Sequence, residues 1–251
     1  MRDQQPLAER IAPHDARDAI RVRLAACALA WLAVIATVGL ALGVSIPAQG
    51  AAMAAFGLAS LLVADRIGRS YPHVRLGGCN ATTLLRAALV AALLMPLADG
   101  WAAGYAVAAL AMVALALDGV DGWLARRSGL VSRFGARFDI EVDAALALVL
   151  ALHVLSGTVV GAEILVLGLI RYAFVLASRI WPWLRGDLAP SRRRKLVCVL
   201  QLSVLIALQI PALPHDTAIL LARGAAMALI WSFGSDIIAL RNEARAQGEL
   251  R

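Results

Sequence analysis

Residues 24–64 form a stretch of 41 residues without a single charged side chain. One helix needs about 20 apolar residues to cross the ~30 Å hydrocarbon core of a bilayer, so this stretch is long enough for two spans. Pro47 and Gly50 lie near its middle and predict the turn between the spans. A cleavable signal peptide is the competing interpretation of the first span, but the apolar segment exceeds the ~7 to 15 residues of a signal core and a second span follows at once.

The rest of the chain continues the same pattern, and 61% of all residues are hydrophobic. Six further apolar segments have lengths near that of one span. They cover approximately residues 80–98, 101–124, 140–160, 162–181, 195–213 and 217–240. None alternates like a barrel strand, and lipid offers no partner for free backbone polar groups, so we expect an all-α integral membrane protein with about eight transmembrane helices.

Lysine and arginine are distributed in a way that predicts the topology. Basic residues precede the first span and follow every second one, whereas the intervening turns near 43–51, 97–101, 156–162 and 210–216 contain none. Because basic loops stay in the cytoplasm, we expect both termini and all basic loops there, in a multi-pass protein of the cell (inner) membrane. Topology and anionic lipid explain the net charge of +7, so no nucleic-acid partner is implied.

Four aspartates lie close to the boundary of two predicted spans. Asp118 and Asp121 are three residues apart at the end of the fourth span, and Asp139 and Asp143 are four apart at the start of the fifth. Both spacings place two carboxylates on one helix face, and a short loop between antiparallel helices lets the two faces converge. Clustered carboxylates repel one another and are costly in a membrane, and divalent cations would relieve both costs.

The chemistry of this cluster favours two Mg²⁺ or Mn²⁺ ions, because its ligands are hard oxygens without histidine or cysteine. Such a pair stabilises the attacking and leaving oxygens of a displacement at phosphorus. Gly119, Gly122 and Gly135 would let a nucleotide diphosphate approach the backbone, and Arg126 could neutralise phosphate. A divalent-cation transporter is the alternative from another class, although all four aspartates lie at one membrane face and the other face offers few ionisable groups.

These residues also carry a resemblance to a known family. The signature of the CDP-alcohol phosphatidyltransferase family resembles, position by position, the pattern Asp118-x-x-Asp121-Gly122-x-x-Ala125-Arg126, eight residues, Gly135-x-x-x-Asp139-x-x-x-Asp143. Upstream, Asn80, Thr83 and Arg86 resemble the family's Asn-x-x-Thr-x-x-Arg pattern, with Cys79 in place of the common proline. Downstream, the segment from Ser191 to Gln201 is similar to a motif of phosphatidylglycerophosphate synthase relatives. Ser191, Lys195 and Gln201 match that motif, while Arg194 replaces a glycine and Cys198 a threonine.

The resemblance implies a domain organisation and a set of residue roles. A six-helix catalytic domain would cover residues 78–241, preceded by a cytoplasmic N-terminus and two additional helices in 1–77 and followed by a cytoplasmic tail, 242–251. By analogy, the metals would be held by Asp118, Asp121 and Asp139. Asp143 would be the catalytic base and could also touch the second ion. The nucleotide and its diphosphate would be bound by Asn80, Thr83, Gly122, Ala125, Arg126 and Gly135.

The implied reaction transfers the phosphatidyl group of CDP-diacylglycerol to a small polar alcohol, with release of CMP, in phospholipid biosynthesis. Within the family, a CDP-linked aminoalcohol donating to diacylglycerol is the alternative. Arg171, inside the sixth span, and the basic pair Arg194 and Lys195 predict a phosphate on the acceptor, such as glycerol 3-phosphate. Positive-inside anchoring is the plainer interpretation of that basic run. The sequence is compatible with a homodimer.

Overall fold

A computed structural model describes residues 14–73, 75–101, 104–186, 188 and 191–247. The predicted N-terminal residues 1–13 and the last four residues of the predicted tail lie outside this part of the chain. Within the described residues the chain forms eight α-helices and two short 3-10 helices. The α-helices are α1 (His14–Leu42), α2 (Ile46–Ser70), α3 (Gly77–Ala98), α4 (Tyr105–Ser128), α5 (Arg133–Gly157), α6 (Leu165–Ile180), α7 (Arg192–Ala207) and α8 (His215–Ala246).

The predicted fold class is confirmed. Five helices, α1 to α4 and α8, are long and apolar enough to be candidate membrane spans. α6 and α7 have 16 residues each, about 24 Å at 1.5 Å per residue, which is less than the ~30 Å of hydrocarbon. The protein is therefore an all-α integral membrane protein, although two of its predicted spans are short.

The turn between the first two helices lies at residues 43–45, at the start of the predicted region 43–51 and before Pro47. α1 ends at Leu42, Gly43 has a positive φ of 67°, and α2 begins at Ile46. Ser45 caps α2, because its hydroxyl accepts a hydrogen bond from the Ala48 backbone amide at 3.3 Å. Pro47 thus lies in the first helical turn, where proline's missing N–H and fixed φ are favourable.

α4 and α5 extend further towards each other than the apolar segments indicate. α4 continues to Ser128 and α5 begins at Arg133, so only residues 129–132 connect them. Gly129 ends α4 with a positive φ of 67°, and the Ser132 hydroxyl accepts a hydrogen bond from the Gly135 amide at the start of α5. Hydrophobicity marks only the apolar part of a helix, so these charged turns were missed. Each aspartate pair therefore lies within a helix rather than at its end.

The chain divides into two compact units. The first contains α1, α2, α3, the part of α4 from Met112 onwards and α5 up to Asp143. Its hydrophobic core joins α1, α2 and α3 and includes Phe134 of α5. At one end of this unit the backbone amide and the hydroxyl of Ser45 both donate to the Asp99 carboxylate, at 2.6 and 2.5 Å. The predicted turns near 43–51 and 97–101 are thus neighbours, as an antiparallel arrangement of α1 to α3 requires.

The second unit contains the start of α4, the rest of α5 and the chain from α6 onwards. α6 packs closely on α5 at Gly168, where a Cβ atom would lie 2.9 Å from the Leu148 Cα. Gln209 donates to the Leu150 carbonyl of α5 at 3.1 Å. Small residues and side-chain amides thus hold these helices together, as is usual in membrane bundles.

Candidate active site

The structure brings the four predicted aspartates together in the first unit. Asp118, Asp121 and Asp139 each place a carboxylate oxygen within 4.8 Å of the other two. The Asp121 side chain is 6% exposed, whereas those of Asp118 and Asp139 are 23% and 36% exposed. The cluster is therefore partly accessible, and Asp121 is the most buried of these three members.

Arg86 of α3 binds all four aspartates, a role that its place in a motif does not predict. Its side chain is fully buried. Nη1 lies 2.9 Å from Asp121 Oδ2 and 3.1 Å from Asp118 Oδ1 and also bonds Asp139, while Nη2 bonds Asp143. Nε donates to the Ala114 carbonyl at 3.2 Å. One signal was present in the sequence, because an arginine inside an apolar segment requires an internal partner.

The charges of these five side chains do not cancel. Four ionised carboxylates and one guanidinium sum to −3, and the nearby Thr83 hydroxyl, 3.1 Å from Asp121 Oδ2, is neutral. Anionic oxygen donors without nitrogen or sulfur ligands suit a hard divalent cation. The described residues therefore fit the predicted kind of cofactor in both charge and donor type.

A cavity of about 200 Å³ adjoins the cluster. A water molecule occupies about 30 Å³ in the liquid, so the cavity can take a group much larger than an ion. All six residues predicted to bind the nucleotide line it, namely Asn80, Thr83, Gly122, Ala125, Arg126 and Gly135. Asp121 and Asp139 line it too, which places the acidic cluster and the predicted nucleotide residues on one cavity.

The α4–α5 connection also contributes to the cavity, and sequence analysis missed it. The lining residues in and around this connection are Leu130, Val131, Ser132 and Ala136, and Cys79 lines the cavity from α3. Leu130 packs so closely on Gly77 that a Cβ atom there would clash with the Leu130 Cδ1. No motif position falls on Leu130, Val131, Ser132 or Ala136, because their place in the cavity depends on how α3 packs beside the connection.

The three glycines of the motif have different surroundings. A Cβ atom on Gly122 would lie 3.3 Å from Arg126 Nη1, and one on Gly135 would lie 3.5 Å from Asn80 Oδ1. Gly119 is exposed, and a Cβ atom there would meet nothing within 4 Å. Gly119 is not among the residues that line this cavity, so its part in the substrate site stays a prediction.

Asn80 is held by two hydrogen bonds on the protein side. Its Nδ2 donates to the Tyr71 hydroxyl at 2.8 Å and to the Leu76 carbonyl at 2.7 Å. The Tyr71 hydroxyl lies 2.9 Å from the Arg75 carbonyl and 3.2 Å from the Leu76 carbonyl, and can donate its proton to either. Both residues are buried, so the segment after α2 fixes the orientation of a cavity residue.

The residues predicted to bind the acceptor belong to the second unit. Arg171 is half-buried in α6, and Lys195 is exposed in the first turn of α7. Arg194 donates to the Leu188 carbonyl at 3.4 Å and lies 3.7 Å from Asp236. Asp236 also pairs with Arg193 at 2.5 Å, so Arg193 and Arg194 both contribute to neutralising this carboxylate. Binding of an acceptor by these residues stays a prediction.

The fold and the site define a helical membrane protein that carries an acidic centre beside a substrate-sized cavity. A model of the CDP-alcohol phosphatidyltransferase family matches residues 78–234, more than half of the chain. The protein therefore belongs to this family, as its motifs predicted, and is a transferase of this kind. Searches of curated proteins and of solved structures return no match to the chain. The resemblance to phosphatidylglycerophosphate synthase relatives stays a prediction.

Proposed function

We propose that the protein transfers the phosphatidyl group of CDP-diacylglycerol to a small polar alcohol and releases CMP, as a step of phospholipid biosynthesis. The convergence of four aspartates on Arg86, two of them lining a cavity together with all six predicted nucleotide residues, carries this proposal. Membership of a transferase family favours group transfer over cation transport. A membrane site suits a substrate whose acyl chains stay in the bilayer while its headgroup enters the cavity.

In this proposal Asp118, Asp121 and Asp139 hold two divalent cations, Mg²⁺ or Mn²⁺, and Asp143 can touch the second. The ions would offset the charge that develops on the attacking and leaving oxygens. Two divalent cations would change the charge of the cluster with Arg86 from −3 to +1, which suits the approach of a diphosphate. Arg126 then adds a second positive group at the cavity wall.

The chemical step is a displacement at phosphorus. The acceptor hydroxyl oxygen forms a bond to the phosphorus that carries diacylglycerol, and the bond from that phosphorus to the bridging oxygen breaks. CMP leaves with the electron pair of the broken bond, and Asp143 accepts the hydroxyl proton. The Asp143 carboxylate is bonded to Arg86, which holds it in place for this transfer.

The acceptor in this proposal carries a phosphate, with glycerol 3-phosphate as the first candidate, and Arg171, Arg194 and Lys195 bind it. A planar guanidinium can donate two parallel hydrogen bonds to a phosphate dianion, which a neutral polyol would not need. The alternative donor, a CDP-linked aminoalcohol acting on diacylglycerol, uses the same acidic centre.

The proposal also includes the domain limits of the chain and its orientation in the membrane. The catalytic domain covers residues 78–241, preceded by the two additional helices in 1–77 and followed by the tail, 242–251. Both termini and the acidic cluster face the cytoplasm, in the cell (inner) membrane. The family match begins at residue 78, which supports the first of these limits.

The deciding experiment measures CMP release by the purified protein with Mg²⁺ or Mn²⁺. One arm supplies CDP-diacylglycerol with glycerol 3-phosphate, inositol phosphate, inositol or serine, and the other supplies CDP-linked aminoalcohols with diacylglycerol. We expect release in the first arm, fastest with a phosphorylated acceptor. Arg171→Ala should raise the KM for that acceptor, whereas Arg179→Ala, an exposed arginine on the same helix, should not. Absence of CMP in both arms would refute the transferase proposal.

A further inference from the structure

Tyr71 links the two additional helices to the cavity. It follows α2 directly, is 1% exposed, and precedes the first residue of the family match. Its ring packs edge-on against Phe134 of α5, with centroids 5.7 Å apart, and its hydroxyl contacts the Asn80 amide. This segment therefore contacts two of the three helices that line the cavity, α3 and α5.

The hydrogen bonds around Asn80 determine which of its side-chain atoms is which. The atom that faces the Leu76 carbonyl at 2.7 Å must be a donor, because a carbonyl can only accept. It is therefore Nδ2, and the opposite assignment would place two oxygens against each other. The same nitrogen donates its other hydrogen to the Tyr71 hydroxyl, whose own proton goes to a backbone carbonyl.

These bonds use both N–H groups of the amide within the protein. The remaining polar atom, Oδ1, is the one turned towards Gly135, where a Cβ atom would lie 3.5 Å from it, and both residues line the cavity. Asn80 therefore offers the cavity an acceptor and no donor. Phosphate oxygens are also acceptors, so Oδ1 would repel a diphosphate rather than bind it.

We propose that Tyr71 is a positioning residue that fixes Asn80 as a hydrogen-bond acceptor, and that Asn80 binds a donor group of the nucleotide, either a ribose hydroxyl or the cytosine amino group. This inference rests on the proposed function, because it assumes a cytidine nucleotide in the cavity. It replaces the expected contact of Asn80 with the diphosphate. It also gives the two additional helices a role in substrate recognition, because they place Tyr71.

The Tyr71 hydroxyl keeps its proton over the physiological pH range. Burial raises the pKa of Tyr71 to about 12, so its hydroxyl stays a donor to the carbonyls of residues 75 and 76. The acceptor side of the hydroxyl therefore stays directed at Asn80, and the preference for a donor should not change between pH 6 and 9.

A double-mutant cycle tests the positioning role in the full-length protein. Tyr71→Phe removes the hydroxyl and keeps the ring, and should raise the KM for CDP-diacylglycerol about fivefold with a smaller effect on kcat, the scale of one neutral hydrogen bond. In the Asn80→Ala background the same change should have no further effect on KM. Tyr105→Phe, at an exposed tyrosine, is the matched control. An equal KM effect in both backgrounds, or none in either, would overturn the positioning role.

Nucleotide analogues test the donor group and separate its two sources. Wild-type protein should bind 2′-deoxy-CDP or UDP more weakly than CDP, according to whether a ribose hydroxyl or the cytosine amine is the partner. Asn80→Ala should abolish that particular difference. If both proteins discriminate equally against both analogues, the acceptor role is wrong, and this arm decides alone should Tyr71→Phe fail to fold. CMP release by the wild-type protein distinguishes failure of the Asn80 acceptor role from failure of the proposed function, because it tests the transferase reaction without any variant.

Discussion

Arg86 Nη1 lies 2.9 Å from Asp121 Oδ2, inside a membrane helix bundle and 35 residues away along the chain. Both side chains are buried, and Thr83 donates to the same carboxylate oxygen or to the Cys79 carbonyl. The protein thus contains its own cation at the deepest point of the acidic centre. The Arg86–Asp121 ion pair therefore reduces the repulsion among the carboxylates even before a substrate binds.

Removal of this cation should destabilise the protein strongly. Arg86→Ala leaves four carboxylates without their buried partner, and breaking a buried ion pair costs about 3–5 kcal/mol. We expect a large fall of the melting temperature in detergent with EDTA, partly reversed by Mn²⁺. Arg69→Ala removes an exposed pair with Asp65 and should have little effect. Equal melting temperatures for the two variants would contradict the assigned role of Arg86.

Substitutions of the aspartates should separate binding from chemistry. Asn in place of Asp118, Asp121 or Asp139 should weaken Mn²⁺ binding as well as turnover. Asp143→Asn should reduce kcat at least ~100-fold with a smaller loss of CDP affinity, because a base is needed only when the hydroxyl attacks.

Glu141→Gln is the control for this series, because Glu141 lies exposed on the same helix as Asp143. Mn²⁺ titration and single-turnover kinetics measure the two effects. Near-normal turnover in any of the four aspartate variants would count against the proposed mechanism.

Two glycines of α4 provide a matched pair for the cavity wall. Gly122→Ala places a methyl group about 3.3 Å from Arg126 Nη1 and should displace that side chain, raising the KM for CDP-diacylglycerol several-fold. Gly119→Ala points into open space and should leave the KM unchanged. Both substitutions should stabilise the helix by a similar ~1 kcal/mol. A difference in KM between the two variants therefore reports a change at the cavity wall and not in helix stability. The same KM for both variants would show that Arg126 does not contact the substrate.

The contact between Ser45 and Asp99 should make stability depend on pH at the acidic end. Hydrogen bonds from the Ser45 hydroxyl and amide lower the pKa of Asp99 below its ordinary value of 3.8. A lowered pKa in the folded state stabilises the protein above the unfolded value and is lost as the pH falls through the folded one. Asp99→Ala should therefore lower the melting temperature at pH 7 and have a smaller effect below about pH 3. A pH-independent deficit would contradict this assignment.

The proposed orientation can be checked in intact cells. A reporter inserted at Ser128, in the last turn of α4, and tags at both termini should be inaccessible from outside. A reporter inserted after Gly100, in the turn after α3 that lacks basic residues, should be labelled. External labelling at Ser128 would reverse the map and place the acidic centre on the opposite face.

Patterns along the chain predicted the number of helices and the convergence of the aspartates. Asp118 and Asp121 share a face because of helical spacing alone, and the short connection to Asp139 makes the two helices antiparallel neighbours. Local chemistry also explains the shifted turn at Ser45, since a capping hydroxyl and a following proline mark a helix start better than hydrophobicity does.

The roles of Arg86 and Tyr71 could not be predicted in the same way. Arg86 meets residues on α4 and α5, and its partners depend on how three helices pack. Tyr71 lies outside every motif, and its contact with Asn80 depends on the path of the segment after α2. Such contacts link positions with no fixed spacing, so periodicity carries no information about them.

The order of α1, α2 and α3 along the chain has a consequence for biogenesis. These helices share a core, and α3 is the most enclosed of the candidate spans. Residue 118 follows residue 86 by 32 positions, so Arg86 emerges from the ribosome before any of its four carboxylates does. Insertion scales assign ~2.5 to 3.5 kcal/mol to such a lone arginine at a helix centre. α1 and α2 emerge first and share a core with α3. They therefore offer a protein surface on which α3 can pack, which keeps Arg86 away from lipid until its carboxylate partners emerge from the ribosome.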